Sequence, residues 1–300
     1  MKKLLTPKQV GRALDVSESS VKRWCDRGEI ATHYTAGGHR RIAIATVLAL
    51  VREGKYKLTN PEALGLPATS GQTIRVLERA RESLTEALVE GNESRCLQLV
   101  VDLYLAEHNL SVICDEVIAA SFVAIGERWS CGEVEVYRER RGCEIALHML
   151  HELRSLLPPP PGDAWLAMGG APSGDQYSLG TSMAELVLRQ GNWRAVSIGD
   201  NLPFNTLEAA IRENQPKLFW LSCSHIADPA TFLAGYAALF DQFHTQVAFV
   251  VGGNALTKDV RRKMNFAAYC DNMQHLASFA QTLQTAVKHN ISAEQSLECQ

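Results

Sequence analysis

Apolar positions at the start of the chain keep a helical interval, break, and then alternate. Thr6-Pro7-Lys8-Gln9 offers a capping hydroxyl, a proline at the first helical position and a glutamine three residues past the cap, followed by Val10, Ala13 and Leu14 at helical spacing. Asp15-Val16 makes a tight turn, and Ser17 with Glu18 opens a second helix whose Val21, Trp24 and Cys25 face inward until Gly28 stops it. From Thr32 to Ile42 short alternating runs flank Gly37-Gly38, which predicts a hairpin with His39, Arg40 and Arg41 at or just past its tip. These elements define a first domain over residues 1–57. Residues 58–72, with Pro61, Gly65, Pro67 and Gly71 and little periodicity, predict an interdomain linker.

From Ile74 the helical interval returns and is sustained. Val76 to Leu88, Cys96 to Leu105, Ile113 to Ile125 and Ile145 to Leu157 predict four helices with short connections, a bundle over residues 73–157. The proline run of residues 158–163 ends it. Across residues 164–289 short apolar runs, Trp165-Leu166-Ala167-Met168, Trp193–Ile198, Leu218–Ser222, Val247–Val251 and Phe266–Cys270, alternate with amphipathic stretches, the pattern of a parallel, doubly wound sheet. The tail, residues 290–300, shows no pattern and is expected to be loose.

Composition adds little except in its distribution. Residues 1–60 hold 12 Lys and Arg against 5 Asp and Glu, while the rest of the chain holds 18 against 28, for a net charge of −3. A basic head on an acidic body points to an anionic partner for the head alone. The 8 cysteines form no C-x-x-C pair, which argues against a zinc finger and a disulfide framework. With no long apolar run and no signal peptide, a cytoplasmic protein with no membrane partner is expected.

On the outer face of the second predicted helix lie Ser19, Ser20, Lys22 and Arg23, residue types suited to base edges and phosphates. The strings VSESSVKRWCDRGEI and AGGHRRI resemble the winged helix-turn-helix of MerR-type and excisionase-type regulators. The resemblance implies that the second helix enters the major groove of double-stranded operator DNA. Tyr34, His39, Arg40 and Arg41 then belong to the wing that holds the flanking backbone, and the protein acts as a homodimer or higher homo-oligomer.

The junction after Met168 carries Gly174-Asp175-Gln176-Tyr177-Ser178-Leu179-Gly180, at the carboxyl end of a strand, where open α/β sheets bind ligands. Its frame resembles the Asp-x-His-x-x-Gly motif of cobalamin-binding domains, with Tyr177 in the place of the His. In the helical middle, Trp129 followed by Glu139-Arg140 resembles the capping motif of CarH-type light-sensing regulators, with Arg140 where that family has a second His. The implied fold is multidomain: an N-terminal winged helix-turn-helix, a central four-helix bundle and a C-terminal Rossmann-like α/β domain of the cobalamin-binding type. In that fold Ser222, Ser224, Gly252 and Gly253 surround the nucleotide tail of the cofactor, Asp175 and Gly180 frame the loop beneath it, and Trp129 covers its upper face.

The expected function is a DNA-binding transcriptional regulator, a repressor by resemblance. Its CarH-like sensory half lacks both His ligands and does not work as an adenosylcobalamin light switch. An alternative keeps a tetrapyrrole, whether heme, bilin or cobalamin, without the usual His; for heme, His225, Cys223 or Tyr177 are candidate ligands. Another class, a corrinoid carrier protein for methyl transfer, leaves the basic head unexplained. Gly169 to Gly174 has the glycine spacing of a phosphate-binding loop, but Asp175 stands at its required Lys. With no nucleophile elbow and no acid/base carboxylate pair, no enzyme activity and no metal site are expected.

Overall fold

The computed structural model describes residues 4–66 and 77–298, with side chains as far as residue 286. The chain divides into two compact units, Met1–Pro159 and Pro160–Gln300.

The first unit opens with β1 (Leu4–Leu5) and α1 (Pro7–Leu14), whose capping box is complete: Gln9 N–H donates to Thr6 Oγ1 (3.2 Å) and Thr6 N–H donates to Gln9 Oε1 (2.9 Å). Asp15 takes the left-handed conformation, φ 54°, and α2 (Glu18–Asp26) starts on Ser17, which accepts from Ser20 N–H at 3.0 Å. Gly11 makes the close turn possible, since a Cβ there would meet the Val16 carbonyl at 2.7 Å. The hairpin of β2 (Thr32–Tyr34) and β3 (Arg40–Ala43) pairs Tyr34 with Arg40, and β1 adds to β3 to complete a three-stranded antiparallel sheet.

Two features of this head differ from the sequence expectation. Directly after β3 the chain forms α3 (Ile44–Arg52), burying Ile44, Ala45, Val47 and Leu48. In the segment expected as linker, Leu58, Leu64 and Leu66 are buried, Pro61–Leu64 forms a 3-10 turn, and the N–H groups of Thr59 and Asn60 both donate to the Ala13 carbonyl. Leucines that cover the end of α1 outweigh the local proline and glycine content. The remaining linker residues, 67–72, and Ile74 and Val76 at the expected start of the bundle lie outside the described residues.

Four helical segments follow: α4 (Leu77–Glu90), α5 (Glu93–Leu105), a third that runs through α6 (Leu110–Val112), a π-helical stretch (Ile113–Ala119) and α7 (Ala120–Ser130), and α8 (Val136–Leu156). The widened π turn keeps Ile113, Cys114, Val117 and Ile118 all buried. α3 packs on α5 and α8, and the Arg52 guanidinium lies 4.2 Å from the centre of the Tyr104 ring.

The second unit is a five-stranded parallel sheet of β4 (Leu166–Gly170), β5 (Arg194–Ser197), β6 (Leu218–Ser222), β7 (Ala248–Gly252) and β8 (Ala268–Cys270), in the order β5-β4-β6-β7-β8. Successive residues alternate between two cores. One holds Met168, Phe219, Leu221, Phe249 and Val251, with side chains from α10 (Phe204–Asn214) and α11 (Pro229–Phe243). The other holds Ala167, Leu218, Trp220 and Val250 against α9 (Leu179–Gln190) and α13 (Met273–Glu298). A short α12 (Lys258–Arg261) follows β7. The segment expected as a loose tail is helical as far as Glu298, in keeping with the absence of Gly and Pro after Met273. Successive strands are added to one side of β4 and then to the other, so the gap between the ends of β4 and β6 is the topological switch point of the sheet.

Candidate functional site

On the head, α2 turns Val21 and Cys25 inward and leaves Ser19, Lys22 and Arg23 exposed, with Ser20 half-buried. The Ser17 and Ser20 hydroxyls share a hydrogen bond of 2.9 Å, and Arg23 Nη2 donates to Ser20 Oγ at 3.3 Å. Lys22 pairs with Glu18 (2.8 Å), which holds the Glu18 carboxyl below its ordinary value. In the wing, Tyr34 and His39 are exposed, and His39 N–H donates to Thr35 Oγ1. Arg40 does not reach outward as a bare wing cation. Its guanidinium pairs with Asp26 in the last turn of α2 (2.6 Å), and Arg41 Nη1 donates back to the Arg40 carbonyl (3.0 Å). Arg40 thus ties the wing to the helix that it flanks.

In the helical middle, Trp129 closes α7 and is 52% exposed. Glu139, Arg140 and Cys143 share one turn of α8: Arg140 Nε lies 3.6 Å from Glu139 Oε2, and the Cys143 thiol donates to Glu139 Oε1 at 3.5 Å. Burial, helped by Glu139, pushes the Cys143 thiol up to about 12.

At the switch point of the sheet, Asp175 is fully buried and its carboxylate gathers three backbone N–H groups. Oδ1 accepts from Tyr177 (3.0 Å); Oδ2 accepts from Ser224 and from His225 (3.1 Å). The Asp175 carbonyl accepts from Asn201 N–H (2.8 Å), and Asn201 Oδ1 accepts from Gly174 N–H (2.8 Å). The Asp175 carboxylate thereby stitches the loops after β4 and β6, and its backbone carbonyl, with the Asn201 side chain, ties in the loop after β5. It holds Tyr177, 43% exposed, and the exposed Ser224 and His225 around a single rim. Cys223 is not part of that rim. Its side chain is fully buried, and burial with the nearby Asp175 pushes the thiol well up, so the sequence-based candidate of a Cys223 ligand is overturned.

The glycines expected around a cofactor tail face the chain itself. A Cβ on Gly180 would sit 2.6 Å from Ser222 Oγ, one on Gly252 would meet the Cys270 carbonyl at 2.8 Å, and one on Gly253 would run into the Cys223 backbone. A Cβ on Gly169 would run into the Trp220 indole. Trp220 donates its Nε1–H to Thr181 Oγ1 (2.9 Å), and Thr181 shares a hydrogen bond with Ser197 (3.0 Å). Sequence reasoning passed over Trp220, Thr181 and Asn201; the available signal was an indole two residues before Ser222 on a strand flanked by small residues. Among the described residues no three His, Cys, Asp or Glu cluster as metal ligands would.

A family model described as a helix-turn-helix domain matches residues 4–55, and one described as a B12 binding domain matches residues 80–153. Among solved structures, the monomethylamine corrinoid protein of Methanosarcina barkeri is similar at 15% identity with a TM-score of 0.57, over 69% of this chain and 100% of that one. A cobalamin-binding protein from Desulfitobacterium hafniense DCB-2 overlaps at 16% identity and a TM-score of 0.37, over 70% of this chain and 99% of that one. The methanol:cobalamin methyltransferase complex MtaBC from Methanosarcina barkeri overlaps at 13% identity and 0.37, over 74% and 85%. Only the first overlap is close enough to use, and it is a likeness of fold. No curated protein matches the chain. The chain therefore joins a helix-turn-helix DNA-binding domain to a helical domain of the B12-binding type and a parallel α/β domain with the fold of a corrinoid protein.

Proposed function

We propose that the chain is a DNA-binding transcriptional regulator whose corrinoid-protein-like half does not act as an adenosylcobalamin light switch. One contrast carries the reading. The helix pair and wing keep Ser19, Lys22, Arg23, Tyr34 and His39 at the surface, whereas the two places where the resemblance expects imidazole hold Tyr177 and Arg140. A phenol lacks the ring nitrogen by which imidazole binds cobalt, and a guanidinium has no lone pair to give. The protein represses its operator as a homodimer or higher homo-oligomer, with α2 in the major groove.

Fluorescence anisotropy on operator DNA at two salt concentrations, in darkness and in light with adenosylcobalamin present, tests the reading. DNA affinity falls steeply as salt rises, and illumination leaves both the affinity and the absorption spectrum unchanged. A cobalamin band that bleaches in light as DNA is released overturns it.

A second reading, a sensor that holds heme or another tetrapyrrole by a different side chain, is favoured by one observation. His225 is exposed on the rim, its N–H fixed by the same carboxylate that fixes Tyr177. An imidazole there suits an axial ligand of heme iron. Wild type that takes up no heme removes this reading, and a heme band that persists in His225→Ala removes His225 as the ligand.

A further inference from the structure

The face of the sheet turned to α9 and α13 carries the cofactor-tail positions of the resemblance, and its architecture decides whether a tail fits. Near the carboxyl ends of the strands Gly169 pairs with Ser197, and two positions further along β6 and β7 Ser222 pairs with Gly252, all four small. Amid them, paired directly with Gly169, stands Trp220, 3% exposed. Its indole lies in the space that the missing Gly169 side chain vacates, so closely that a Cβ there would collide with the ring. The ring is anchored at its far end by the hydrogen bond to Thr181, itself fully buried in the first turns of α9. The hydroxyl of Ser222 abuts Gly180, and the Cys270 carbonyl abuts Gly252, so the openings on either side are filled too.

We infer that Trp220 is a built-in plug: it fills the slot that the nucleotide tail of a corrinoid requires, and so excludes tailed corrinoids from this α/β unit. The inference rests on reading this half as corrinoid-protein-like. Packing at crystal-like density admits either the indole or a tail, not both. The donor set agrees, because the loop that would carry a lower imidazole holds Tyr177, and Asp175, beside it, already spends its carboxylate on three backbone N–H groups.

The full chain is titrated with hydroxocobalamin and with dicyanocobinamide, which has the same ring without the tail, and binding is read by absorption and by co-elution in gel filtration. Wild type does not retain hydroxocobalamin, Trp220→Gly retains it at least about tenfold better, a difference that a titration resolves, and Trp220→Phe, which keeps most of the plug, stays like wild type. Wild type that holds hydroxocobalamin as tightly as Trp220→Gly overturns the inference, as does a folded Trp220→Gly that gains nothing. If circular dichroism shows that Trp220→Gly does not fold, Trp220→Leu takes its place under the same criteria. If that also fails, the wild-type pair decides: hydroxocobalamin bound as well as the cobinamide refutes the plug, and its exclusion supports it. Salt-dependent DNA binding, measured on the same samples, reports separately on the regulator reading.

Discussion

Arg40 of β3 and Asp26 of α2 are joined by a 2.6 Å ion pair that spans the two elements proposed to meet DNA. A cation already countered by a carboxylate neutralises less of a phosphate than an unpaired one. Arg23→Ala should therefore lower the salt slope of DNA binding by about 0.9, and Arg40→Ala should lower it by clearly less. Anisotropy titrations across a salt series check this, and equal losses for the two variants would show that Arg40 leaves Asp26 for the backbone.

Asp175→Asn replaces an acceptor of three N–H groups by an amide that turns a donor toward at least one of them. An unsatisfied buried group and weakened charge-assisted bonds cost about 2–3 kcal/mol, enough to lower the melting temperature by several degrees. Calorimetry checks it. An unchanged melting curve would mean that the loops after β4 and β6 hold their positions without the carboxylate.

Gly253 has φ +111°, a region that side chains rarely adopt, and a Cβ there runs into the Cys223 backbone rather than a movable side chain. Gly253→Ala should destabilise the protein by on the order of 3 kcal/mol, whereas Gly38→Ala, in a wing turn with nothing within reach of its Cβ, should cost less. Chemical denaturation of both variants gives the ranking, and a reversed order contradicts the packing described for the strand end.

Burial pushes the thiols of Cys96 and Cys143 up to about 12 and that of Cys270 to about 11. An unfolded thiol ionises near about 8.5, so between that value and the folded ones the native state binds more protons. The stabilisation is present in full below the unfolded value and is lost as pH rises from about 9 toward 11 and beyond. Melting temperatures should fall over that range, and Cys96→Ala should flatten part of the fall. A melting temperature that holds steady from pH 8.5 to pH 11 runs against it.

Much of the architecture is legible in local chemistry. Thr6, Pro7 and Gln9 announce α1, Ser17 announces α2, and apolar runs between amphipathic stretches give the parallel sheet, because each signal lies within a few residues of the element that it sets. What escapes depends on neighbours far along the chain. No turn residue separates β3 from α3, so one apolar run hides the change from strand to helix. Leu58, Leu64 and Leu66 read as linker until α1 is there to cover. The partner of Arg40 is 14 residues away, that of Asp175 is 49, and the meaning of Trp220 appears only when strand register sets it against Gly169.

The stacking of Arg52 on Tyr104 carries a mechanical consequence. A helix-turn-helix head that rests a cation on an aromatic ring of the neighbouring helices is braced against them rather than strung on a free linker. A displacement of α5 would press on the end of α3, the helix that continues wing strand β3, so on the proposed regulator reading a change among the helices would have a solid path to the DNA-binding head.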